Sequence, residues 1–234
     1  MVGEACAQEK SSNQWEYDFL VYLWVTTIQG TTVTGDDILV NFDTIIKNLD
    51  FAAMGTFSAR KNKFSIVSDV IYLNLGNTIK TDGEVLGRPV SSELDLGLSS
   101  WVINFGAGYN LIDDGKNQFD VIAGVRFIDF NLDLDFNLNE RETSITGNGH
   151  LWNGIIGVRG KRTISDKWYL NYYADIGGGD AKITTQAVVG AGYKFKKMDA
   201  VFGYRYMYWD FDKDADVFDS LGFHGPYTGL KWTF

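Results

Sequence analysis

Apolar residues recur at every second position through most of this chain, in runs separated by short polar stretches. In the first run Trp15, Tyr17, Phe19, Val21, Leu23 and Val25 share one parity, while Glu16, Asp18, Tyr22 and Trp24 share the other. A period of two sends successive side chains to opposite faces of an extended backbone, so the run predicts a strand with one apolar face. The pattern returns in Phe51 to Ala59, Phe64 to Leu75, Trp101 to Tyr109, Phe119 to Phe127, Trp152 to Val158, Trp168 to Ile176, Ala187 to Phe195, Phe202 to Tyr208 and Thr228 to Phe234. Together they predict about ten antiparallel strands, with eight as the alternative.

One segment breaks the period. Between Gly30 and Asp50, Phe42, Ile45, Ile46 and Leu49 fall at helical spacing, which predicts a short amphipathic helix in the first long loop. A helix of two turns is too short to persist unsupported, so it is expected to plug or cap something. Apolar parity also flips twice, between Leu94, Leu96, Leu98 and Trp101, and again from Phe127 to Phe130, Leu132, Leu134 and Phe136. An extra residue in one strand inverts parity, so bulges are expected near Ile128-Asp129 and between Leu98 and Trp101.

The connections alternate in length. Lys61-Asn62-Lys63, Asp113 to Asn117, Ser165-Asp166-Lys167 and Lys196 to Asp199 are tight turns by chemistry. Longer polar connections are expected at Gly30, at Gly76 to Ser92, at Asn139 to Gly149 and at Asp210 to Leu221, with a brief link at Gly177-Gly178-Gly179-Asp180.

Composition narrows the class. Aromatics at 15% and 26 glycines fit neither a disordered chain nor a helical bundle. No run approaches the roughly 18 apolar residues of a transmembrane helix, so a membrane location would have to be reached with strands. The net charge of -9 argues against a nucleic-acid partner. Residues 1–14 read as a leader or the remnant of a signal peptide, with Ala5-Cys6-Ala7 before Gln8 like the tail of a cleavage site, and residues 15–234 as one domain.

The stretch from Phe223 to Phe234, F-H-G-P-Y-T-G-L-K-W-T-F, is apolar on one face and ends on Trp232 and Phe234. It resembles the closing strand of small bacterial outer-membrane β-barrels. The segment N-L-D-F-A-A-M-G-T-F-S-A-R with D-V-I-Y-L-N-L, within Phe42 to Leu75, is similar to a recurring feature of the uncharacterised surface-antigen-like and porin-like barrels of proteobacteria. The resemblance implies an all-β, transmembrane, up-and-down antiparallel barrel in the Gram-negative outer membrane. It also implies lipid and lipopolysaccharide as surroundings, and an assembly signal at Trp232 and Phe234 read by the barrel-assembly machinery. The long-short alternation of connections agrees with short periplasmic turns and longer outer loops. Trp15, Tyr109, Trp168, Tyr193, Phe195, Trp232 and Phe234 lie at strand ends beside short turns, as a periplasmic-side aromatic girdle does.

If the apolar parity faces lipid, the other parity encloses Glu16, Asp18, Arg60, Asp69, Asp120, Arg126, Arg159, Asp175, Lys194, Arg205 and Lys231. Charges in a narrow lumen are expected to pair across strands. Such a network either fills the lumen or lines a small aqueous or substrate path. The inward Gly106, Gly108, Gly124, Gly190, Gly192 and Gly203 make room for either.

Chemistry beyond this is sparse. His150 and His224 fall on the lipid-facing parity without a nucleophile motif, so no catalytic residue is assigned. Asp210, Asp212, Asp214, Asp216 and Asp219 suggest a calcium loop, but Ala215 and Leu221 stand where an EF-hand needs Gly and Glu. A solvated acidic loop is the reading, with loose divalent binding between the protein and lipopolysaccharide as the alternative; no metal and no cofactor are assigned. The expected function is a structural protein or narrow passive channel for small solutes. The alternatives are an outer-membrane enzyme acting on lipid or peptide, and a soluble ligand-binding barrel.

Overall fold

A computed structural model describes residues 14–32, 35, 37–85, 88–138, 141–211 and 218–234. The strands are β1 (Glu16–Trp24), β2 (Thr27–Thr32), β3 (Asp37–Val40), β4 (Leu49–Lys61), β5 (Phe64–Val85), β6 (Arg88–Asp113), β7 (Asn117–Leu138), β8 (Arg141–Thr163), β9 (Trp168–Gly179), β10 (Ile183–Lys194), β11 (Asp199–Asp210) and β12 (Phe218–Thr233). One helix, α1 (Phe42–Lys47), lies between β3 and β4. β1 pairs with the last half of β12, from Asp18↔Thr233 to Trp24↔Tyr227, and β2 with its first half, from His224↔Thr27 to Phe218↔Thr32. They form a single stave, so with β4 to β12 the sheet closes as a ten-stranded antiparallel barrel. Closure leaves no free sheet edge along most of the wall, as a strand-built membrane protein requires.

Both ends have recognisable causes. At the lower end the hairpins are tight: Asn62 and Gly115 take positive φ, 55° and 81°. The Asp114 carboxylate accepts bonds from the Asn117 side-chain amide and from the Asn117 and Lys116 N–H groups. Those donors, the Asn117 amide first, hold its carboxyl below the usual range. At the upper end the connections expected at 76–92 and 139–149 are instead largely strand. β5 and β6 pair without interruption to Val85↔Arg88, and β7 and β8 to Leu138↔Arg141. Hairpin pairing satisfies these backbones where turn-type composition alone pointed to loop.

The exterior is apolar. Phe105, Ile156 and Val189 are 51%, 66% and 60% exposed at mid-height, a pattern a protein surrounded by water does not favour over a whole belt. No described helix is long and apolar enough to cross a membrane. A lower ring girdle includes Phe64–Tyr109, Trp168–Tyr193, Tyr193–Phe195 and Phe19–Trp232. Cross-strand register builds a second, upper girdle from Phe51–Tyr72, Tyr72–Trp101 and Phe127–Trp152. Phe64 and Tyr72 are eight residues apart on β5. At about 3.3 Å per residue and a tilt of about 40°, the girdles stand roughly 20 Å apart, close to the apolar band of such barrels.

The two expected bulges are absent. β6 and β7 pair in continuous register from Ser92↔Leu138 to Asn110↔Asp120, and the shift comes only between Asn110 and Ile112. β7 and β8 pair without any shift. The parity of apolar residues changes because the lumen changes chemistry. Ile128 is fully enclosed and Phe130 packs against the same interior cluster, while Leu98 packs inward beside Leu73 and Leu75. The side chains of Leu94, Leu96, Leu132, Leu134 and Phe136 lie outside the described set.

Candidate functional site: the stoppered lumen

The inward parity holds the expected charges, and the structure stacks them in tiers. At the lower mouth Lys231 Nζ lies 3.5 Å from Asp18 and 3.8 Å from Asp199, and Tyr169 donates to Asp199 at 2.9 Å. Glu16 and Lys194 sit at this rim and form no ion pair among the described residues. Above them Asp120 accepts from Arg60, from Arg159 Nε at 2.9 Å and from Asn110 at 2.7 Å. Glu16, Asp18, Arg60, Asp120, Arg159 and Lys231 line a cavity of about 480 Å³ that reaches from the lower mouth to mid-height.

The cavity ends at a ring of five side chains. Asp69 accepts from Asn104 at 3.3 Å and from Arg205; Asn104 accepts from Arg126 Nε at 2.7 Å; Gln186 accepts from Arg126 at 3.0 Å and from Arg205 at 3.2 Å. The cycle Asp69, Asn104, Arg126, Gln186, Arg205 therefore closes on itself across the lumen. Arg126 reaches further, to Asp175 at 2.6 Å and Thr184 at 2.7 Å, and Tyr22 and Thr56 donate to Asp69. Tethers to β1, β4, β5, β6, β7, β9, β10 and β11 make the ring a transverse strut. Enclosed charges that are paired and hydrogen-bonded in this way avoid most of the desolvation penalty.

Immediately above the ring the lumen is apolar. Trp24, Met54, Ile71, Val102, Ile128, Met207 and Trp209 belong to one buried cluster, with Met207 and Trp209 fully enclosed. α1, the short helix expected in the first long loop, joins a second buried cluster: Ile45 is 4% exposed and packs with Ile28, Leu73 and Leu75.

Nine of the eleven expected lumen charges, Asp18, Arg60, Asp69, Asp120, Arg126, Arg159, Asp175, Arg205 and Lys231, pair across strands. The sequence reading missed the uncharged members, Asn104, Gln186 and Tyr22, and it missed Lys161, whose ammonium lies 4.4 Å from the Tyr169 ring centroid. Their inward parity was visible; their convergence depends on register. The inward glycines serve filling. Tyr227 lies over Gly190 and Gly203, and Tyr169 over Gly192. A Cβ at Gly203 would fall 2.2 Å from the Val189 carbonyl oxygen and 2.8 Å from the Tyr227 ring. Gly203→Val is accordingly expected to lower the stability of the folded barrel by about 1–3 kcal/mol, read as a shift of the urea midpoint in micelles.

The histidines face outward. His224 Nδ1 lies 2.7 Å from the Tyr204 hydroxyl, and His150 is exposed with no hydrogen bond or ion pair among the described residues. No group of three or more His, Cys, Asp or Glu among the described residues is placed to hold a metal. The acidic positions 212–217 and the leader at 1–13 lie outside the described residues.

The fold, its two ring girdles and its charged interior define a small β-barrel of the outer-membrane type, the class the sequence resembles. No protein-family model and no curated protein matches the chain. Among solved structures it is similar to Neisserial surface protein A, at 13% identity and TM-score 0.40 over 94% of this chain and 97% of that one. It is also similar to the translocator domain of the autotransporter NalP from Neisseria meningitidis (14%, 0.42, 94% and 88%). A third is Ail, the attachment invasion locus protein of Yersinia pestis (8%, 0.38, 94% and 98%). At such identities and scores no residue role passes from them to this chain.

Proposed function

We propose that this chain is a structural outer-membrane barrel whose lumen is shut, standing in the membrane to carry its long upper hairpins and not to conduct solutes. The observation that carries this reading is the strut of Asp69, Asn104, Arg126, Gln186 and Arg205 with the apolar stopper seated on it. A passive channel needs a continuous wet path, and a tier of fully enclosed Trp209, Met207 and Ile128 above the ring interrupts it. The ring girdles and apolar belt support placement in a bilayer, with the tight turns on the periplasmic side. β5 and β6 each extend thirteen residues past their upper-girdle rings, from Tyr72 to Val85 and from Trp101 to Arg88. That reach carries them beyond the headgroups, where a surface protein meets its surroundings.

The test is planar-bilayer recording with purified, folded protein. The expected result is a flat trace without unitary steps. Regular steps from wild-type protein would overturn the closed-lumen reading in favour of a passive channel. A protein that stays in solution without detergent would instead return the soluble-barrel alternative.

A further inference from the structure

The lower cavity ends, beneath the strut, in a chamber whose walls carry no charge. One inward step below the five ring residues stand Val67, Gly106, Gly124, Val188 and Gly203, because inward positions recur at every second residue of a strand. Three of the five are glycine. The Tyr227 ring takes the space over Gly203, and the remaining room belongs to the cavity. Leu20, Ser58, Val67 and Val188 line it and are half-buried, so a molecule in the cavity touches them. A volume of about 480 Å³ is that of a small-molecule site, which typically holds about 300–1,000 Å³.

Below the chamber the wall is charged, and its charges do not balance locally. Arg60 and Arg159 share the one carboxylate of Asp120. Their side chains stay 15% and 18% exposed, whereas Arg126 in the ring is at 0%. Lys161 follows Arg159 by two positions on β8, so both side chains leave the same face of one strand with Cα atoms about 7 Å apart. Lys161 forms no ion pair among the described residues, and its ammonium lies 4.4 Å from the Tyr169 ring centroid, with Lys231 Nζ 5.4 Å from the same ring. Lys231 is itself met by Asp18 and Asp199. Even so, Lys231 and Lys194 repel the Lys161 ammonium more strongly than Asp18 and Asp199 attract it. Uncompensated positive charge therefore stands along Arg159 and Lys161, at the foot of the chamber.

We infer that the lower cavity binds one small monocarboxylic acid, its carboxylate held by Arg159 and Lys161 and its uncharged body in the chamber under the strut. The charge follows from the foot of the chamber. A carboxylate there supplies the counter-charge that Lys161 lacks and accepts charge-assisted hydrogen bonds from both side chains. A neutral molecule leaves Lys161 uncompensated, and a polyanion meets the carboxylates of Asp120 and Asp18 in the same narrow section. The body follows from the lining: Leu20, Val67 and Val188 are apolar, and the Tyr173 ring adds an aromatic wall. The strut closes the far end, so the acid enters and leaves by the lower mouth and is not conducted. That this mouth opens to the periplasm rests on the membrane placement proposed above; the binding does not.

The test is calorimetric titration of the full-length protein, folded in octyl glucoside micelles at pH 7, with 3-phenylpropanoate, and with empty micelles as the blank. The expected result is saturable binding at one site. 3-Phenylpropanol, which has the same body without the charge, and acetate, which has the charge without the body, are each expected to bind about tenfold more weakly or less. Lys161→Gln is expected to weaken 3-phenylpropanoate about tenfold while Lys161→Arg retains it. No saturable binding of 3-phenylpropanoate overturns the site and leaves the closed lumen standing, since the bilayer recording judges that separately. 3-Phenylpropanol binding as tightly as the acid, or Lys161→Gln binding as wild type does, overturns the cationic foot; acetate binding as tightly overturns the chamber.

Discussion

Replacing Arg126 by alanine is expected to destabilise the folded barrel by about 3–5 kcal/mol, the largest effect of any single substitution in the lumen. Arg126 is fully enclosed and gives hydrogen bonds to Asn104, Thr184, Asp175 and Gln186. Its removal leaves the Asp175 carboxyl without its cation, in a place water reaches poorly. Leaving one partner stranded costs far more than the pair contributes, because the desolvation of the remaining ion is no longer offset. The control follows from the same reasoning: Arg126→Met together with Asp175→Leu removes both charges and is expected to restore most of the loss. Urea titrations of the micelle-folded protein, followed by tryptophan fluorescence, read both variants. A single variant as stable as wild type, or a double variant as damaged as the single, would show that the strut does not bear on stability.

The second large effect is expected outside. Phe105 lies midway on β6 between the girdle residues Trp101 and Tyr109 and is 51% exposed. Phe105→Arg places a charge at the centre of the apolar belt, with an expected cost of about 2–4 kcal/mol, whereas Tyr109→Arg at the lower girdle is expected to cost about 1 kcal/mol or less. The measured quantity is the difference between the two midpoints in lipid vesicles. Equal costs would remove the assigned belt. The two predictions address different boundaries of one wall, one dry and filled with protein, the other dry and filled with lipid.

The architecture was readable because a strand buries one face and alternation reports which. Phe119, Val121, Ala123 and Val125 against Asp120, Gly124 and Arg126 name the outward and inward faces of β7 before any neighbour is known. Tight turns were readable for a similar local reason, since Asp114 satisfies three donors within three residues. The misplaced bulges show the limit of that inference. At Phe130 an apolar residue lies on the inward face, and alternation cannot announce this, because it records a contrast between faces and does not say which one meets the bilayer. The flip marks the height at which the lumen passes from charged to apolar.

What the chain by itself determined was the strand-rich barrel class, the charged parity, the lower ring girdle and the short helix, all of them properties of residues near one another in sequence. The tertiary structure decided what pairs with what. Asp69 and Arg205, or Tyr22 and Arg205, stand far apart along the chain and meet only because ten staves close in one register. That closure turns scattered inward charges into a strut and sets Trp209 and Met207 above it. Register is a property of the whole wall, since a slip of one residue would turn every lumen group to the lipid.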